Sequence, residues 1–161
     1  MTFKNIFSHN DINEYISLCK SYIFELQQFD SSIQTKLENE ILETLNSEFS
    51  EKFLITDNDE VIGFIIIGYG LENSFSGKDK FIEEFYIKKT LQRKGFGKKA
   101  IDELCKKYPN SDFSAFIINN NSPAISFWES AFDTDKYSER CFAGNINATS
   151  DNLIFKYWAK I

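Results

Sequence analysis

Hydrophobic positions along this chain switch between a helical and an extended period, and the switches divide it into successive elements. Ile12, Tyr15, Ile16, Cys19, Tyr22, Ile23 and Leu26 recur every three or four residues, the stripe of an amphipathic helix that follows the capping residues Asn10 and Asp11. A strand from Phe3 to Phe7 precedes it. A second helix is predicted over about Ser32 to Phe49, with Ile33, Leu37, Ile41, Leu42 and Leu45 inward. Phe53 to Thr56 and Val61 to Tyr69 flank the turn Asp57-Asn58-Asp59, the pattern of a hairpin. The polar stretch Gly70 to Lys80 is the most loop-like segment. Phe81 to Ile87 and Asp112 to Ile118 read as two more strands, each running into a helix. The first of these helices carries Ala100, Ile101, Leu104, Cys105 and Tyr108 on one face. The second carries Ala124, Phe127, Trp128 and Ala131, with Ser122 as N-cap and Pro123 at the first helical position. Strands at about Tyr137 to Phe142 and Leu153 to Trp158 bracket the polar turn Gly144 to Asn152.

No repeat, low-complexity tract or linker breaks this order, so residues 1–161 are expected to form one domain. A hydrophobic share of 42% with 17 Phe supplies a substantial core. The longest apolar run, Phe64 to Ile67, is far too short to span a bilayer, and Met1-Thr2-Phe3-Lys4 lacks a secretory hydrophobic region; a cytoplasmic location without membrane attachment is expected. Cys19, Cys105 and Cys141 are an odd number without metal-ligand spacing, which predicts reduced, packing thiols and no metal. The sequon at Asn147 is read as chance. A net charge of -6 argues against nucleic-acid binding, while the acidic surplus at Glu72, Asp79, Glu83 and Glu84 suits a cationic substrate such as a primary amine. A homodimer is left open. His9, the one histidine, is read as a surface or capping residue.

The basic residues that cluster do so at one turn. Gln92-Arg93-Lys94-Gly95-Phe96-Gly97-Lys98 joins the strand Phe81 to Ile87 to its helix, with two glycines one residue apart and Arg93, Lys94, Lys98 and Lys99 beside them. Glycine lets backbone turn tightly and approach a ligand, so the free N–H groups of the first helical turn can converge on a phosphate. The glycine spacing fits neither a P-loop nor a dinucleotide fingerprint. Placed after a strand and before a helix, Gln92-x-x-Gly95-x-Gly97 resembles the acetyl-CoA pyrophosphate loop of the GNAT superfamily of N-acyltransferases. The later Asn121-x-x-Ala124-x-x-Phe127-Trp128 is similar to that superfamily's second cofactor motif, Asn-x-x-Ala-x-x-Phe-Tyr. Two motifs in order carry the likeness, which extends from about Phe53 to the C-terminus.

The resemblance implies an α/β GNAT fold, a mixed, mostly antiparallel sheet of about six to seven strands flanked by about four helices. It implies acetyl-CoA as cosubstrate, its pyrophosphate on Gln92 to Lys98, its acetyl oxygen and pantetheine arm on the main chain of Phe85, Tyr86 and Ile87, and further contacts from Asn121 and Phe127. Asn121 also reads as a pre-cap residue, and Phe127 as core.

Acetylating an amine requires a neutral nucleophile and therefore a base. Glu83 and Glu84 are the catalytic candidates, because adjacent carboxylates in a strand point to opposite faces and each is costly to bury without a role. Each also reads as one half of an ion pair with a Lys in a wet cleft. The pair is similar to that of the polyamine acetyltransferase branch, where the first acid is the base or binds the amine, which favours Glu83. Trp128 departs from the family's Tyr, which can protonate the leaving thiolate; an indole N–H cannot replace it as an acid. Tyr137, Tyr86, Cys141 or solvent remain as proton sources. The expected activity is N-acetylation of a small amine. The alternatives are a noncatalytic acyl-CoA-binding domain, which the loss of that Tyr favours, and an enzyme acting on protein N-termini or lysines.

Overall fold

The computed structural model of the chain describes residues 1–69, 79–140 and 152–161. The segments Gly70 to Lys80 and Gly144 to Asn152, read as loop and turn, fall largely outside the described residues, as does Cys141. Seven strands form one sheet in the order β1 (Thr2–Asn5), β2 (Ser50–Asp57), β3 (Glu60–Tyr69), β4 (Lys80–Ile87), β5 (Phe113–Ile118), β7 (Leu153–Lys160), β6 (Tyr137–Glu139). Every neighbouring pair is antiparallel except β4 and β5. Among the described residues four α-helices accompany it: α1 (His9–Leu26), α2 (Glu38–Asn46), α3 (Phe96–Lys107) and α4 (Ser122–Ala131).

β3 shows why its sequence is a near-continuous apolar run. Phe64 and Ile66 face Tyr15, Ile16 and Cys19 of α1 and Ile41 of α2, while Ile65 and Ile67 face Ile101 and Leu104 of α3 and Trp128 of α4. Both sides of the strand are therefore covered, and neither needs polar positions. The hairpin between β2 and β3 turns on Asn58 and Asp59, both at positive φ, as two-residue hairpin turns require.

Several boundaries differ from the sequence expectation, each for a local hydrogen-bonding reason. The first helix is capped by Ser8, not by Asn10 and Asp11: Ser8 accepts from the Asp11 N–H and Asp11 bonds back to the Ser8 N–H. His9 is consequently the first helical residue. The second helix begins only after Leu37, which is 66% exposed rather than inward. Upstream, Asp30 accepts from the Ser32 N–H and hydroxyl, and Gln27 Nε2 donates to the Ile33 carbonyl and Thr35, local bonds that compete with a helix there. At α4 the cap is Asn121, whose side chain accepts from the Ala124 N–H at 3.1 Å, so Ser122 is already helical.

Candidate active site

A parallel pair joined by a helix opens a crevice at the carboxyl ends of its strands, and here the opening is enlarged. β4 and β5 are paired only over Lys80 to Ile82 and Phe113 to Ala115. Beyond Ile82 the strands part, which leaves one edge of Glu83 to Ile87 without a ladder partner among the described residues. α3 starts from one lip of this split and α4 from the other. Phe85 lines the interior, stacked on Phe127 at 5.5 Å between centroids and 5.7 Å from Trp128.

On its other edge β4 is irregular. Ile66 of β3 faces Glu84 and Ile67 faces Ile82, so Glu83 is an extra residue without a partner, a β-bulge. Strict alternation would put Glu83 and Glu84 on opposite faces. The bulge breaks the alternation, and both carboxylates lie on the side covered by α1 and α2, where the charge of Glu83 opposes ionisation of Glu84. Glu83 is solvent-exposed and its carboxyl group occupies the space a Cβ on Gly68 would fill. Partial burial raises its pKa above the usual carboxylate value, against the pull of Lys52 and Ser50. Glu84 is enclosed near Tyr22, Tyr15 and Cys19; burial raises its pKa also, opposed by hydrogen bonding from Tyr22 and by the charge of Lys36. Two lysines thus face the two acids. A groove of about 210 Å³ lies on the same side, lined by Ile6, Phe7, Ile12, Leu42, Leu45 and Lys52 among others. Cys19 is held as a thiol, because burial raises its pKa to about 11.

The turn into α3 carries the features of an anion cradle. Arg93 and Gly95 have φ of 59° and 84°. No side chain caps α3, and the first backbone bond back to Gly95 comes from Lys99, so the Phe96, Gly97 and Lys98 N–H groups remain available. Arg93 and Lys94 are exposed and in no ion pair among the described residues.

Three side chains expected to touch the cofactor are engaged elsewhere. Lys98 Nζ donates to the Ala131 carbonyl at 2.8 Å and lies 3.5 Å from Asp102, so it ties α3 to the end of α4 and only its N–H remains for an anion. Gln92 points inward, donating to the Ile87 carbonyl at 2.9 Å and to Glu25 at 3.1 Å. Asn121 uses its oxygen as a helix cap and keeps its amide N–H₂ for a ligand. Glu25 is a residue that the sequence reading missed. It also accepts from the Tyr86 hydroxyl at 2.7 Å, and the signal for it was a carboxylate one turn after Tyr22 on the inward stripe of α1.

Gly97 has a packing task beside the one its motif suggests. A Cβ there would stand 2.8 Å from the Phe127 ring, so this glycine admits α4's aromatic against α3, whereas the space above Gly95 is open. Gly97→Ala should therefore destabilise the protein by about 1–3 kcal/mol, the usual cost of overpacking. Combining it with Phe127→Ala should cost clearly less than the sum of the two single losses in thermal or urea melts. Additive losses would show that the contact with Phe127 is not what constrains Gly97.

Of the alternative proton sources, Tyr86 gives its hydrogen to Glu25 and is made a weaker acid by burial. Tyr137 packs against Phe113 and Phe132 and pairs in register with Lys160, beyond the opposite end of β5 from the split, and burial raises its pKa too. Neither tyrosine stands where Trp128 does.

The sheet thus splits between β4 and β5, the one parallel pair among the described residues, with a glycine turn on one lip and an Asn-capped helix on the other. Residues 13–133 match the model of the Acetyltransferase (GNAT) family, and the chain belongs to that family. It is accordingly an N-acetyltransferase of the kind that uses acetyl-CoA. Among solved structures it is similar to an acetyltransferase from Thermus thermophilus, with 13% identity, 99% of this chain and 96% of that one covered, and a TM-score of 0.67. It is also similar to a spermidine N-acetyltransferase chimera from Vibrio cholerae, at 15% identity, 99% and 96% coverage and a TM-score of 0.65. A Bacillus subtilis acetyltransferase solved in complex with CoA aligns at 15% identity over 76% of this chain and 83% of that one, with a TM-score of 0.53. At these identities the likeness is one of fold. No curated protein matches the sequence. Among the described residues no helix is long and apolar enough to cross a membrane, and no group of three or more His, Cys, Asp or Glu could hold a metal ion.

Proposed function

We propose that the enzyme acetylates a primary amine of a small molecule by direct attack, with Glu83 as general base. The observation that carries this reading is the bulge, which turns an exposed carboxylate of raised pKa onto the acceptor side of β4 at the point where the strand leaves β5. A carboxylate made more basic by partial burial is a better proton acceptor in its ionised form. Glu84 is the poorer candidate because Tyr22 and Tyr15 close over it.

The residues at the split fit acetyl-CoA: free N–H groups at Phe96 to Lys98 for the pyrophosphate, the Asn121 amide for the pantetheine, and Phe85 with Phe127 as an apolar wall for the acyl arm. Bound there, acetyl-CoA supplies a thioester carbonyl that an amine can attack, with a thiolate as leaving group. Glu83 takes the proton that the ammonium must lose before the nitrogen lone pair is free, directly or through water. The unpaired edge of Phe85 to Ile87 offers backbone N–H donors to negative charge developing on the acetyl oxygen, worth a few kcal/mol in such sites. Trp128 supplies no proton, and with Tyr86 and Tyr137 placed elsewhere the leaving thiolate takes its proton from solvent or from Cys141.

Lys52 and Lys36 offset the two acids, so attraction for a cationic acceptor rests on Glu83, the exposed member. Thiol release from acetyl-CoA with a panel of polyamines, amino acids and peptides tests the proposal. Release is expected with free small amines. Release with peptides alone would transfer the reading to a polypeptide acceptor, and release with none would remove the amine.

A further inference from the structure

We propose that Glu25, in the last turn of α1, is a positioning residue that presets the turn taken here as the acetyl-CoA loop, and the proposal rests on that reading of the turn. Glu25 bridges strand and turn. Oε1 accepts from the Tyr86 hydroxyl of β4 at 2.7 Å, and Oε2 accepts from Gln92 Nε2 at 3.1 Å. The same Nε2 donates to the Ile87 carbonyl at 2.9 Å, so the Gln92 side chain is clamped from two sides just before Arg93 and Gly95 take their positive φ values.

Electrostatics alone argue against a carboxylate here. It lies beside a turn that has to receive a pyrophosphate, both its bonds come from neutral donors, and no Lys or Arg pairs with it among the described residues. Its charge repels the ligand, so its benefit must be geometric. Two oxygens at fixed separation hold two elements in register, and a turn frozen before binding does not lose that freedom on binding. Glu25 also sits three residues after Tyr22, which lies against Glu84 and whose ring is 5.5 Å from that of Tyr86. One face of α1 therefore touches both the acidic pair and the cofactor turn.

Calorimetric titration of the whole protein with acetyl-CoA tests this, beside thermal melts without ligand. Glu25→Ala should raise Kd about tenfold, since both bonds are lost. Glu25→Gln should stay within about threefold of wild type, because an amide oxygen can accept from Gln92 while its N–H₂ donates to the Tyr86 oxygen. Should Glu25→Ala fold poorly, Gln92→Ala and Tyr86→Phe each remove one bond, and Gln92→Ala should give the larger rise in Kd. A fall in melting temperature with Kd unchanged would reduce Glu25 to a structural contact, and equal tightening by Ala and Gln would show that its charge alone is felt; either result overturns the proposal. Wild-type protein that does not bind acetyl-CoA would instead overturn the cofactor reading of the turn, before any variant is compared.

Discussion

Glu83→Gln is expected to lower turnover with acetyl-CoA and an amine acceptor by roughly 10²-fold or more, the usual contribution of a general base, with acetyl-CoA affinity almost unchanged. The amide is nearly isosteric and cannot take a proton, so the loss reports chemistry rather than packing. The pH profile gives the sign independently. Burial raises the Glu83 pKa above its ordinary value of 4.5, and only the ionised form is a base. The rate should therefore fall as pH drops through that raised pKa, and Glu83→Gln should abolish this limb. Because Lys52 pulls the Glu83 pKa down, Lys52→Met should move the limb to higher pH. Full activity of Glu83→Gln between pH 6 and 9 would hand the role to Glu84 or to an acceptor that arrives neutral.

Trp128→Ala should cost about 3–5 kcal/mol of stability, the range for deleting a buried aromatic, and should also weaken acetyl-CoA binding. Trp128 is 7% exposed, and its ring centroid lies 4.9 Å from Phe127, 5.3 Å from Trp158, 5.7 Å from Phe85 and 6.4 Å from Phe132. It is the hub of the aromatic cluster behind the wall of the split, so a cavity there would let Phe85 and Phe127 relax away from the acyl arm. Trp128→Phe keeps most of the burial and should cost little turnover. Trp128→Tyr supplies an ionisable hydroxyl at the family's position, and a marked rise in turnover at unchanged Kd would show that thiolate protonation limits the wild type. Loss of turnover in Trp128→Phe alone would give the indole N–H a role assigned to it nowhere here.

The turn into α3 was the more legible part of the candidate site because its glycine acts through backbone. Gly95 is needed at φ 84° whatever surrounds it, whereas the cap of α4 was read one residue late, at Ser122 and not Asn121. Side chains within the same motifs were less legible. Gln92 and Lys98 reach Glu25 and Ala131, partners 67 and 33 residues away along the chain, and no local pattern encodes such contacts. The packing role of Gly97 was illegible for the same reason, since the object that needs its missing Cβ is Phe127 of another helix.

The sequence by itself determined the α/β class, the order of strands and helices and the two turns flanking the cleft, because periodicity and glycine conformations are local properties. Only the tertiary structure decided how the two acids stand. Side chains alternate across a regular strand, so Glu83 and Glu84 would have been separated by the sheet; the slip opposite Ile66 and Ile67 brings them to one face, exposing the first and enclosing the second. A bulge is a mismatch in count between two paired strands, and neither strand's sequence contains that count. The splitting of β4 from β5, the inward turn of Gln92 and the bridge through Glu25 are relations between distant segments in the same way, set by what packs against what.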